Sequence, residues 1–105
     1  MPTIAESQGD NYAVSVGTSA TEIVTEDPQH GSAGLERHVI VVNNHASQIL
    51  YVGFGSDVAV GTGLPVAAGA SWSASLHSRD NVYAIASGAA TDVRVSVLHG
   101  KGDPA

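Results

Sequence analysis

Residues 71–76 read Ser71-Trp72-Ser73-Ala74-Ser75-Leu76. Side chains of a strand point to opposite faces in turn, so this period of two puts Trp72, Ala74 and Leu76 on one face and three hydroxyls on the other. A helix would scatter the same residues around its axis. Two further segments alternate in the same way. Tyr12, Val14 and Val16 oppose Ala13, Ser15 and Gly17, and Val93, Val95 and Val97 oppose Asp92, Arg94 and Ser96. Each predicts a half-buried strand. Composition agrees: Val, Ile and Thr total 25 residues, against 17 for Leu, Met, Lys, Arg, Glu and Gln together, a balance that favours strands.

Outward from these, the middle of the chain is apolar on both faces. Residues 38–42 (HVIVV) and 48–54 (QILYVGF) predict central strands, or strands whose outer face meets another subunit. Asn43-Asn44-His45-Ala46-Ser47 lies between them and predicts a hairpin, because Asn tolerates turn backbone. A second hairpin is expected from 82–87 to 92–97 through Gly88-Ala89-Ala90-Thr91. Residues 21–25 form a weaker strand. In the stretch 63–69, Pro65 demotes the run to a short edge strand and tight turn. Residues 26–35 and 55–63 read as loops, and in the second of them Val58 and Val60 look exposed. The expected fold is all-β: a small antiparallel β-sandwich or barrel of seven or eight short strands.

At 105 residues the chain makes one domain. Its net charge of −6 is unevenly placed. Residues 1–36 hold six acids and no Lys or Arg, whereas four acids balance four bases over 37–105. The expected organisation is an extended acidic N-terminal arm over 1–36 with one or two strands, a body over 37–98, and a C-terminal tail over 99–105. Nucleic acid is excluded as a partner, since the arm repels phosphate and no basic stripe compensates. Anionic membranes are disfavoured for the same reason, and no apolar run approaches the ~20 residues of a spanning helix. The first ten residues show no basic segment followed by an apolar one, so no signal peptide is expected. The expected place of synthesis is the cytoplasm, and with no cysteine the chain suits a reducing compartment.

The same residues argue against chemistry. The five histidines include no His-x-His pair that would aim two rings at one metal from a strand. Serine is abundant, but no G-x-S-x-G elbow occurs. Gly53-Phe54-Gly55 opens like a dinucleotide fingerprint, yet Val58 stands where the third glycine belongs. No catalytic, metal or cofactor residues are expected, and the chain is not read as an enzyme. A binding module, most plausibly for carbohydrate, is the alternative, with His45, Asp57, Trp72 and His77 near loops. The alternation around Trp72 favours a core role for that ring.

From about Val39 to Leu98 the chain resembles a small β domain of minor structural proteins in tailed bacteriophages. The resemblance is carried by Asn43-Asn44, then Tyr51-Val52-Gly53, then the turn Gly63-Leu64-Pro65-Val66-Ala67-Ala68-Gly69. It continues through the serine-rich strand to Val82-Tyr83-Ala84-Ile85-Ala86-Ser87 and Val93-Arg94-Val95. It implies a non-enzymatic virion part: a capsid decoration or cement protein on the phage head, or else a head–tail completion or fibre-attachment protein. The implied partners are the major capsid protein or other virion proteins, and further copies of the chain, commonly as a trimer. The implied location is the capsid surface. Candidate protein-interface residues are Tyr51, Phe54, Val58, Val60 and Leu64.

Overall fold

The computed structural model describes residues 8–25, 36–77 and 80–99, and every regular element among them is a strand. These are β1 (Gln8–Val16), β2 (Thr21–Val24), β3 (Glu36–Asn43), β4 (Leu50–Gly53), β5 (Leu64–Val66), β6 (Ser71–His77), β7 (Val82–Ala86) and β8 (Thr91–His99). They form two four-stranded sheets, ordered β1-β8-β3-β6 and β2-β7-β4-β5. Every ladder is antiparallel. Successive strands switch sheets except at β4 and β5, which is the plan of an eight-stranded jelly-roll sandwich.

That topology corrects the two expected hairpins. Residues 43–49 carry the chain from β3 in one sheet to β4 in the other, and Gly88-Ala89-Ala90 carries it from β7 back to β8. Both turns contain the expected residues, with Ala90 at φ 58°. Such residues redirect a chain equally well into the same sheet or across to the facing one. Consecutive strands pair at β4 and β5 alone among those described, with Leu50 opposite Val66 and Val52 opposite Leu64.

The acidic segment enters the sandwich. β1 pairs with β8 from Gln8↔His99 to Val16↔Thr91, and β2 pairs with β7. Of the arm expected over 1–36, Gln8–Val16 and Thr21–Val24 are therefore edge strands and Glu36 opens β3, while 1–7 and 26–35 lie outside the described residues. Of the expected tail, His99 ends β8, and 100–105 lie outside them too.

The core is thin and rich in valine. Val39 and Val41 of β3, Val93 and Val95 of β8, and Leu50 and Val52 of β4 are all 0–2% exposed. Alternation supplies them from both inner faces. At β2 a register shift between Glu22 and Val24 turns both Ile23 and Val24 inward, the usual effect of a bulge. Parity also sends Arg37 inward, in line with Val39 and Val41. It is 4% exposed, and its Nη2 donates to the Asp80 carbonyl at 2.6 Å.

Candidate protein-interaction site

The loop after β4 is built around one valine. Val58 N–H donates to the Gly55 carbonyl at 3.1 Å, and Gly63 N–H donates to the Ala59 carbonyl at 2.8 Å, closing two successive turns. The Thr62 hydroxyl pins the Ala59 amide at 3.1 Å. This folds Val58 back onto β4. A Cβ at Gly53 would lie 2.7 Å from the Val58 Cγ2, and one at Gly63 would lie 2.9 Å from the same methyl. Glycine is needed at Gly53 because the valine fills the space, and at Gly63 because Val58 and the Tyr51 Cβ, 2.8 Å away, fill it together. Val58 is consequently only 8% exposed, which corrects the expectation that it faces solvent. A short-range hydrophobic contact inside a glycine-bounded loop leaves no periodic trace.

Its neighbours do face solvent. Phe54 is 57% exposed, and Val60 and Leu64 are each 48% exposed. Phe54, Val58 and Leu64 line a hollow of about 440 Å³ together with Val52, Gly53 and Asp57. The hollow opens beside the β5 and β6 edges, where the Phe54 ring meets the Trp72 ring with centroids 6.0 Å apart and planes tilted by 56°. Tilted aromatic pairs at this range attract. Of the five candidate interface residues, the structure thus gathers Phe54, Val58 and Leu64. Val60 sits on the adjoining turn, and Tyr51 points to the outer face of its sheet, opposite Pro65.

The carbohydrate candidates do not converge. The His45 Nδ1 accepts from the Ser47 and Gln48 amides, both at 3.0 Å, so that ring shapes the β3–β4 corner. His77 lies at the far end of β6, its amide bonded to the Asp80 Oδ2 at 3.0 Å. Trp72 is half-buried on the inner face and packs against the core, and Asp57 is on the rim of the hollow. Among the described residues no group of three or more His, Asp or Glu is placed to hold a metal ion.

No protein-family model matches the sequence, and comparison with curated proteins gives no match. Solved structures do match. A chain from the Bacillus endospore appendages, described as disulfide-linked pili, superposes with a TM-score of 0.60 at 16% identity, over 90% of this chain and 86% of its own. A chain from the acid-stable capsid of Helicobacter pylori bacteriophage KHP30 gives a TM-score of 0.53 at 12% identity, over 92% of this chain and 89% of its own. What is shared is the fold. The disulfide linkage named for the appendages has no counterpart here, since this chain contains no cysteine.

Two features at the corners escaped the sequence reading. The buried Asn43 carboxamide and the side chain of Gln48, which accepts from the Thr91 hydroxyl at 3.0 Å, tie the turns together. Their signal was present in the Asn43-Asn44 pair, but it reads equally as turn chemistry. The inward Arg37 was legible from parity alone.

Proposed function

We propose that the chain is a non-enzymatic structural subunit of a virion, a decoration or cement protein that binds the head of a tailed phage through its apolar hollow. The observation that carries this reading is the pair of half-exposed side chains Phe54 and Leu64 lining a preformed depression, with exposed Val60 on the adjoining turn. Contiguous apolar surface of this kind marks sites where proteins meet. Large side chains flanking a pocket supply most of the energy at such contacts. The jelly-roll likeness to a chain of a phage capsid supports the reading, as does the ordered sequence resemblance to tailed-phage structural proteins. The partner is the major capsid protein, on the outer surface of the head, and further copies of the chain complete the assembly.

The test is co-sedimentation with purified heads of the cognate phage, followed by cryo-microscopy of the particles. The wild-type chain is expected to saturate regular positions on the head. Val60→Asp/Leu64→Asp is expected to fold normally and lose that association. A wild-type chain that stays in the supernatant at saturating capsid overturns the reading.

A further inference from the structure

The described strands leave four sheet edges, and three of them are blunted or acidic. β5 has three residues and carries Pro65. β2 has four residues, bends at its register shift and presents Glu22. β1 carries Asp10, and its inner side is closed by the Tyr12 hydroxyl donating to the Ile23 carbonyl at 2.5 Å. β6 differs. It runs for seven residues with no Pro, Gly, acid or Lys, and among the described residues β3 is its neighbour on one side only. Long, flat, uncharged edges are the ones that recruit another strand.

The ladder fixes which groups β6 offers. The Asn43 amide donates to the Ala70 carbonyl at 2.9 Å, whereas the Asn44 amide turns the other way, to the Asp92 carbonyl at 2.9 Å. By the alternation of an antiparallel ladder, odd residues of β3 bond toward β6, and their partners there are Trp72, Ala74 and Leu76. Ser71, Ser73 and Ser75 therefore aim their amides and carbonyls outward, as the His77 amide does toward Asp80.

We propose that β6 pairs antiparallel with the β6 of a second copy across a two-fold axis at Ala74, joining two four-stranded sheets into one of eight. The register sets Ser73 opposite Ser75 and Trp72 opposite Leu76, so the outward-facing backbone groups of the two serines meet and hydroxyl and apolar faces each continue, while the His77 amide and carbonyl stay with Asp80. No like charges oppose one another on the strand. Paired residues share a face, so both second sheets lie on one side and the rims of the two hollows approach each other. A strand ladder of this length buries little area beside a standard interface, so the dimer forms at high protein concentration. The proposal stands whether or not the chain binds a phage head.

Sedimentation velocity over a series reaching millimolar protein tests it, together with amide hydrogen exchange. A monomer–dimer equilibrium is expected, with Ser73 and Ser75 amides gaining at least tenfold protection as dimer forms. Ser73→Lys/Ser75→Lys sets Lys against Lys twice and is expected to give a folded monomer throughout. Ser73→Lys/Ser75→Glu sets Lys against Glu in this register and is expected to restore the dimer. A wild-type chain monomeric at every concentration, a trimer or an open polymer overturns the proposal. So does association that survives the double-lysine change. Head binding by the double-lysine monomer reports separately on capsid docking.

Discussion

The side-chain nitrogen of Asn43 donates to the Val66 carbonyl at 2.9 Å, linking the end of β3 in one sheet to β5 in the other. The same nitrogen donates to the Gln48 carbonyl at 2.7 Å, and the Asn43 Oδ1 accepts from the His45 amide at 3.1 Å. The side chain is fully buried, and its polar atoms are satisfied by three backbone groups. Asn43→Ala strands those groups, each worth about 1–3 kcal/mol when buried and unpaired. A loss of about 2–4 kcal/mol is expected in urea denaturation, after some relief from water entering the corner. Asn43→Asp sets a carboxylate against two carbonyls and is expected to cost more than the alanine. Equal midpoints for the two variants would show that the donor role carries no weight.

The neutral Tyr12 phenol is what the fold selects. Burial raises its pKa above the ordinary value, Arg37 opposes the rise, and Asp10 adds to it. A folded pKa above the unfolded one means that the contribution is complete below the unfolded value, near pH 10, and disappears as pH climbs through the folded value. Wild type is therefore expected to lose stability on going above pH 10 through this group. Tyr12→Phe removes the bond to Ile23, lowering neutral stability by about 0.5–1.5 kcal/mol, and flattens the alkaline limb. Parallel alkaline limbs for the two proteins would assign that loss to other groups.

Which strands exist was legible because alternation is local. Trp72-Ala74-Leu76 and Val93-Val95-Val97 became strands with the expected faces, and 38–42 a central strand; of 48–54 only Leu50–Gly53 is strand, and in both two-sided segments one face alone is buried. Which strands pair was not legible. Asn43 and Gly88 turn the chain, and only long-range packing decides that each turn crosses the sandwich. The apolar loop residues were nameable as candidates, yet their outcomes split. Val58 plugs the space above Gly53 and Gly63, while Phe54, Val60 and Leu64 stay exposed. That difference depends on two glycines brought together from either side of a hairpin, which no spacing rule encodes.

Ala90 holds a left-handed backbone at φ 58° in the corner before β8. This conformation costs an L-residue about 1–2 kcal/mol, and glycine adopts it freely. Glycine also loses more chain entropy on folding, which offsets part of the gain. Ala90→Gly is expected to raise stability by about 0.5–1 kcal/mol, read as a higher urea midpoint at unchanged m value. A lower midpoint would mean that the Ala90 methyl makes contacts worth more than the strain.

The Phe54–Trp72 pair joins the exposed hollow to the core, and a double-mutant cycle separates the two roles. Trp72 is half-buried and packs on the valine core, so Trp72→Ala is expected to cost about 2–3 kcal/mol, below the 3–5 kcal/mol of a fully buried aromatic. Phe54 is 57% exposed, and Phe54→Ala is expected to cost about 1 kcal/mol or less. The tilted contact predicts a coupling of about 0.5–1.5 kcal/mol between them, measured by denaturation of the two single variants and the double. Strict additivity would show that the rings touch without stabilising each other. Capsid docking gives the second readout. Phe54→Ala leaves the sandwich nearly intact while removing a large side chain from the rim, so it is expected to weaken head binding far more than it weakens folding. Trp72→Ala should do the reverse at temperatures where it remains folded. If both changes scale binding with stability alone, the rim contributes only through the fold.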